Sequence, residues 1–385
     1  MEYFLSEQQK TLKSLARRIA EERILPVRAE LDEREEFPWD IVKDLANIDM
    51  FRIFIPEKYE GLGGGCLELC LVVEELSRIC SGIAVTYAAS ALGSFPLLEY
   101  GNEEQKQKYL PDIASGKRLA AFALTEPTAG SDASAIKTTA ERVKGGYVIN
   151  GTKQFITNGG EAELYTVIAL TAKARGARGA SAFLVEKDTP GFSFGKKEKK
   201  MGIRASSTRE LTLQNCLVPE ENMTGKEGMG FIMTLRLLDR SRPGIGAQAV
   251  GLAQGALEAA VDYARKRIQF GHPIISIQAV QHMLADMAIQ VEAARLLVYA
   301  AARTIDSGAK NFTEEAAMAK VFASDTAMRV TTDAVQIFGG AGYMRDYPIE
   351  KMMRDAKITQ IYEGANQVLR SAIAFELRKR KAMRE

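Results

Sequence analysis

Phe122-Ala123-Leu124-Thr125-Glu126-Pro127-Thr128-Ala129-Gly130-Ser131-Asp132 stands where the chain changes its period. Before this segment apolar residues recur at helical spacing; after it they gather in short runs divided by turn residues. Residues 1–120 therefore read as an N-terminal helical domain. Ser6 with Gln9 makes a capping box, Leu12, Leu15, Ala16 and Ile19 form one apolar stripe, and Pro26 supplies a stop. A second helical run, 67–79, follows the turn Gly61-Leu62-Gly63-Gly64-Gly65, and a third begins near Gly82.

Beyond this segment, residues 121–225 carry strand-like runs at 146–151, 164–170, 182–185 and 210–213. They are rich in β-branched or aromatic residues and bounded by Gly, Asn, Asp or Pro, which predicts a compact, β-barrel-like middle domain. Residues 226–385 return to helix in long Ala-rich runs near 228–268, 276–307, 313–338 and 349–380, the pattern of an antiparallel C-terminal four-helix bundle. The fold class expected is mainly α with an inserted β domain. Apolar residues on more than one face of the C-terminal helices point to subunit contacts.

Composition narrows the chemistry. With 385 residues, 46% hydrophobic and 26% charged, the chain can bury a sizeable core. A net charge of +2 without a long single-sign block argues against nucleic acid or an anionic membrane as the main partner. The basic run Gly195-Lys196-Lys197-Glu198-Lys199-Lys200 reads as a solvated loop. The start, Met1-Glu2-Tyr3-Phe4-Leu5-Ser6-Glu7, lacks the order of a secretory signal, and no apolar run is expected to reach membrane-spanning length, so a soluble cytoplasmic protein is expected. Four cysteines, none in a Cys-x-x-Cys pair, read as reduced and buried. Only two histidines, His272 in a turn and His282 on an amphipathic stretch, are available, so a metal site is not expected and catalysis must lean on carboxylates or a cofactor.

No Gly-x-Gly-x-x-Gly follows a strand and no Gly-x-x-x-x-Gly-Lys-Ser/Thr loop occurs, which removes the dinucleotide fingerprint and the P-loop. Taken alone, the glycines at 61–65 are turn residues, and Gly339-Gly340-Ala341-Gly342 closes a helix. Three segments together say more. The quoted stretch is followed by Lys153-Gln154-Phe155-Ile156-Thr157-Asn158-Gly159-Gly160, and Gln336-Ile337-Phe338-Gly339-Gly340 precedes Ile361-Tyr362-Glu363-Gly364-Ala365-Asn366-Gln367. In these motifs, and in the same domain order over essentially the whole chain, the sequence resembles the flavin-dependent acyl-CoA dehydrogenase family.

The resemblance implies FAD as cofactor and an acyl-CoA thioester as substrate. It places Phe122, Leu124 and Thr125 along one side of the flavin ring and Phe155 and Thr157 on the other, with Ser131 serving flavin phosphate or the thioester. Many members have Trp where this chain has Phe155, which keeps an apolar wall and loses an indole donor. Arg267, Gln269, Phe270, Gln278, Gln336, Gly339 and Gly340 are implied to hold the pyrophosphate and adenosine half of a neighbour's FAD in a homotetramer, and Ala365 and Gln367 also fall to the cofactor. Asp239, Ser241 and Arg242 match the family's substrate helix, with Tyr362 and Gly364 beside the substrate. Some branched-chain members carry their base on that helix, but Ser241 and the positions just after it hold no acid, leaving Glu363 as the base.

The reaction implied is α,β-dehydrogenation, with electrons leaving to an electron-transferring flavoprotein. Glu363 precedes an apolar-periodic helix containing Val368, Leu369, Ala372 and Ile373, whose N-terminus is expected to steady its anion while burial raises its pKa. Residues 83–92, small except for Tyr87, are expected to line the acyl end and to leave room for a short or medium, branched or cyclic chain, with Tyr87 shortening the space. Two alternatives stand beside this reading: an oxygen-reactive oxidase or monooxygenase of the same fold, and a non-catalytic acyl-CoA-binding scaffold.

Overall fold

The computed structural model describes residues 4–382; Met1, Glu2 and Tyr3, part of the segment read for a leader, lie outside it, as does everything after Ala382. The first helix, α1 (Glu7–Ile19), starts on the Ser6–Gln9 capping box and continues through one π-helical turn before the chain bends at Pro26. Short helices α2 (Arg28–Arg34) and α3 (Trp39–Asn47) lead to α4 (Cys66–Ile79), α5 (Ser81–Tyr100) and α6 (Glu103–Ala114). The middle of the chain supplies β1 (Ala120–Ala123), β2 (Thr139–Val143), β3 (Gly146–Thr157), β4 (Leu164–Leu170), β5 (Ala180–Glu186), β6 (Phe192–Lys197), β7 (Thr208–Pro219) and β8 (Met223–Thr224). After them come α7 (Gly230–Lys266), the hairpin β9 (Ile268–Gln269) and β10 (His272–Pro273), then α8 (Gln278–Asp306), α9 (Thr313–Phe338), α10 (Ile349–Thr359) and α11 (Asn366–Ala382).

The eight strands form one sheet in the order β6-β7-β3-β2-β4-β5-β8, with β1 added in parallel to β4 through Ala120↔Leu164 and Ala123↔Val167. Half of these strands were not predicted, for readable reasons: β1 has no β-branched residue and β2 is largely exposed. Both are stabilised by their neighbours in the ladder rather than by their own pattern.

Helix packing is built on small residues. A Cβ at Gly251 or Gly255 of α7 would lie 2.0 Å from the carbonyl of Glu74 or Arg78, so α4 and α7 approach to backbone contact. The charged residues that α4 buries are satisfied from neighbouring helices: Glu74 accepts from Arg295 at 3.0 Å and Tyr299 at 2.8 Å, and Glu75 from Arg17 at 2.9 Å. The four cysteines are free and buried. Helix α5 corrects one expectation, because its length and hydropathy do suffice for a membrane span; 83% of that window is buried inside the fold, which assigns its apolarity to core packing.

The fourth C-terminal run also departs from expectation. It is not one helix over 349–380 but two, broken between Thr359 and Asn366, and the break carries Glu363.

Candidate active site around Glu363

Glu363 sits in the left-handed region at φ 50°, followed by Gly364 at φ 100°. A non-glycine residue there is strained, and such residues gather where a side chain must be aimed. The turn is held from several directions. Asn366 N–H donates to the Gln360 carbonyl at 3.0 Å, and Lys320 Nζ donates to the Gly364 carbonyl at 2.8 Å and to Asn366 Oδ1 at 3.1 Å. From α7, Arg242 Nε reaches the Glu363 carbonyl at 3.4 Å. Among the described residues no backbone carbonyl accepts the Glu363 N–H.

The carboxylate points at α7, where the Ser241 hydroxyl donates to Oε2. Burial pushes the Glu363 carboxyl above the usual carboxylate range, while the Ser241 hydroxyl, then Arg242 and Lys320, pull it back. The helix N-terminus expected to steady the anion starts only at Asn366, so side chains of α7 and α9 take that part. Arg242 is in turn paired with Asp239, which also accepts from Thr313 at 2.6 Å. Burial lowers the Arg242 guanidinium and raises the Asp239 carboxyl, each opposed by the other. Tyr362 donates to Gln248 Oε1, and burial raises its phenol.

The quoted segment and its companion at 153–157 are brought together by Gln154 N–H donating to the Thr125 carbonyl at 2.8 Å. Beneath them Lys153, fully buried, donates to the Leu124 carbonyl at 3.0 Å and to Glu126 Oε1 at 2.7 Å. Glu126 also accepts the N–H groups of Lys137 at 2.6 Å and Thr138 at 3.0 Å. Helix α5 joins this region to the base. Its Thr86 carbonyl accepts from Asn158 at 3.0 Å and its Ser90 hydroxyl from Ala120 N–H at 3.1 Å, while Ser81 accepts from Gln248, the partner of Tyr362.

Phe155 is 59% exposed at φ 58°, beside a register shift in the β3–β7 ladder; Phe122, Thr125 and Thr157 are half-buried, and Gly130, next to the exposed Ser131, opens onto free space. An uncovered aromatic ring beside hydroxyls and a clear backbone suits a flat polar-edged ring system. Arg267, Gln269, Phe270 and Gln278 form a separate exposed group on and around the β9–β10 hairpin, with Gln336, Gly339 and Gly340 exposed at the end of α9. Phe270 is 87% exposed at the hairpin tip. Ala365 closes the turn before α11, where its carbonyl accepts from Leu369, and Gln367 is exposed.

Two sequence expectations need correction here. Tyr87 does not shorten an acyl space: its ring packs on Phe51 and Phe54 in the N-terminal core, and its hydroxyl donates to the Met50 carbonyl at 2.9 Å. Of residues 83–92, Ala88 and Leu92 are half-buried and the others are at most 8% exposed, so the open face along this stretch is narrower than expected. Sequence reasoning missed Lys320 and Lys153. Lys320 is a lone cation on a stripe of small residues, which is the available signal; Lys153 lies between half-buried Gly151 and exposed Phe155 and carries none.

Helical, sheet and helical units in this order, with the acidic turn set against the last of them, match one class, and this chain is a member of the acyl-CoA dehydrogenase family: family models of the N-terminal, middle and C-terminal domains match residues 6–117, 121–216 and 227–377. Particular relatives are similar over nearly the whole of this chain. Butyryl-CoA dehydrogenase from Megasphaera elsdenii is 46% identical with a TM-score of 0.95, over 98% of this chain and all of that one. A chain in the structure of the electron transferring flavoprotein of Acidaminococcus fermentans is 50% identical, TM-score 0.96, over 98% of this chain and 99% of that one. An acryloyl-CoA reductase (NADH) from Anaerotignum propionicum is 48% identical over 99% of this chain and 97% of its own length. An acyl-CoA dehydrogenase from Bacillus anthracis, solved with FAD, is 36% identical, TM-score 0.92, over 99% of this chain and 68% of that one.

Proposed function

We propose that this oxidoreductase is an FAD-dependent dehydrogenase of short acyl-CoA thioesters, with Glu363 as the base that removes the α proton. The observation that carries the reading is Glu363 itself: a carboxylate raised by burial, fixed in a left-handed turn, yet kept ionisable by the Ser241 hydroxyl and two nearby cations. Raising a carboxylate in this way moves it toward the working range of a general base. Similarity to butyryl-CoA dehydrogenase supports a short chain, as does an open α5 face reduced to Ala88 and Leu92.

Bound FAD supplies the acceptor for the hydride that leaves the β carbon. Phe122, Leu124 and Thr125 would hold its ring from one side and Phe155 and Thr157 from the other, with Ser131 toward the phosphate; Ala365 and Gln367 would add contacts next to the base. Arg267, Gln269, Phe270, Gln278, Gln336, Gly339 and Gly340 would hold the pyrophosphate and adenosine half of a neighbour's cofactor, in a homotetramer. Arg267 offers the planar donors that phosphate oxygens pair with.

The chain's own residues account for the proton step. A thioester α proton is too weakly acidic for a carboxylate in water, so the developing enolate oxygen needs donors that strengthen with its charge. The Glu363 N–H, without a backbone acceptor, can serve as one. Substrate entry would exclude water from the carboxylate, raising its basicity as the α carbon arrives. Asp239, Arg242, Tyr362 and Gly364 would bound the thioester and pantetheine path. The likeness to a chain in an electron transferring flavoprotein structure supports such a flavoprotein as electron acceptor.

The relative named as an acryloyl-CoA reductase favours a second reading, the same site run toward the saturated thioester. Anaerobic titration of the holoenzyme with a panel of acyl-CoAs tests the first: flavin bleaching by a four-carbon chain is expected, and Glu363→Gln should bind the same ligand while bleaching at least roughly a thousandfold more slowly. Normal bleaching in that variant would place the base elsewhere. Bleached enzyme reoxidised by the matching enoyl-CoA, but never bleached by the saturated thioester, would favour the reverse direction.

A further inference from the structure

Lys320 lies in α9 on a buried stripe of small residues that includes Ala316, Ala317, Ala323, Ser324 and Ala327. Its side chain is fully buried, and both of its hydrogen bonds go to neutral oxygens, the Gly364 carbonyl and Asn366 Oδ1. These two acceptors bracket the segment that carries Glu363. A buried ammonium facing only dipoles is costly, so its compensation must come from formal charge nearby.

The surrounding charges are otherwise spoken for. On α7, Arg242 is paired with Asp239. On α9, Asp325 is paired with Arg370 of α11 at 2.6 Å, and on α10, Asp355 is paired with Lys351 at 2.5 Å. Tyr362, next to Glu363, is a neutral phenol bound to Gln248. Glu363 is left as the main complement of the Lys320 charge, and Lys320 joins Arg242 in favouring the Glu363 carboxylate. The same corner is stitched to α9 by Asn366 Nδ2, which donates to Ser324 Oγ at 2.9 Å and to Asp325 Oδ1 at 2.9 Å, and by Gln360 Nε2, which donates to Asp325 Oδ1 at 2.6 Å. A glutamate has no intrinsic reason to stay at positive φ; these bonds supply one.

We propose that Lys320 is the positioning residue of the base: its ammonium fixes Gly364 and Asn366 so that Glu363 holds its left-handed conformation, and its charge favours the carboxylate. Burial brings the Lys320 ammonium down to about 8 and pushes the Glu363 carboxyl up, and each charge opposes the other's shift. Removing the Lys320 charge therefore raises Glu363 further and leaves more of the base protonated at a given pH. This inference rests on Glu363 being the base.

The test compares Lys320→Gln and Lys320→Met as FAD-loaded holoenzymes. Gln keeps an N–H donor for Gly364 without the charge; Met keeps neither. Two quantities are read: the pH dependence of flavin reduction by butyryl-CoA, and the titration of the Glu363 carboxyl by carbon-13 NMR in substrate-free protein, assigned with Glu363→Gln. In Lys320→Gln the Glu363 titration and the acidic limb should both move up by roughly one pH unit, with the plateau rate within about threefold of wild type. In Lys320→Met the same shift should come with a plateau lower by about tenfold or more, because the turn is released. Glu363 titrating in Lys320→Gln where it does in wild type overturns the proposal, and that variant decides alone if the Met variant does not fold. Normal bleaching by Glu363→Gln would instead refute the reading of Glu363 as base, a result separate from the NMR shift.

Discussion

Ser241→Ala removes the one hydroxyl among the described residues that donates to the Glu363 carboxylate and leaves the rest of the corner in place. Within α7 that hydroxyl otherwise reaches only the Leu238 carbonyl at 3.1 Å, and alanine is the better helix former, so the helix should be preserved. A hydrogen bond to a charged group contributes about 1.5–3 kcal/mol, and one pKa unit corresponds to about 1.4 kcal/mol. The carboxyl end of Glu363 is buried but the residue as a whole keeps partial exposure, so water can replace part of the loss and the lower end applies, a rise of about one unit. The sign follows from the anion being the stabilised form: burial already raises this carboxyl, and the Ser241 hydroxyl is first among the groups lowering it. The reactive species is the carboxylate, so the acidic limb of flavin reduction moves to higher pH. One unit below the new midpoint the rate should be about tenfold below its plateau, and the plateau itself should be retained. Stopped-flow mixing with butyryl-CoA under anaerobic conditions, repeated across pH, measures this directly. An unmoved limb, or an equal loss at every pH, would refute the reasoning and mean that Ser241 acts on substrate rather than on the ionisation of Glu363.

Lys153→Met leaves Glu126, 5% exposed, with only its two backbone N–H donors, and should cost about 3–5 kcal/mol of stability together with weaker flavin retention; thermal unfolding showing a loss below about 1 kcal/mol would count against a pair joining the 124–126 and 153–157 segments. The same carboxyl is held below its ordinary range, opposed by burial and carried by Lys153, so its contribution is present above the unfolded carboxylate pKa and is lost as pH falls through the lower folded value; acid titration of stability should show wild type losing this increment and Glu126→Gln not. Tyr87→Phe should cost about 1 kcal/mol by removing the hydroxyl from the Met50 carbonyl, which is left with the Ile53 N–H at 3.4 Å, with the order of preference among acyl chains unchanged; a shift toward longer chains would return Tyr87 to the acyl space. Asp306 accepts the Cys66 and Leu67 N–H groups at 2.6 and 2.9 Å, capping α4 from the end of α8, and Asp306→Ala should destabilise by about 1–2 kcal/mol in chemical denaturation.

The capping box at Ser6, the β-branched and aromatic run of 164–170, the Ala-rich runs and the segment around Glu363 were legible because each depends on residues within a few positions of one another. The same locality explains the failures. β1 and β2 are strands through their ladder partners, and Tyr87 was misplaced because helix periodicity does not say which neighbour a buried face meets. The sequence named Glu363 as the acid and placed it just ahead of a helix. It contained no sign that the helix before it ends at Thr359, that the residue itself turns left-handed, or that its companions are Ser241 and Lys320. Those contacts join residues 122 and 44 positions apart. Only the packing of α7 and α9 against the break sets the distance between such groups, and with it the burial and charge that make this carboxylate a base.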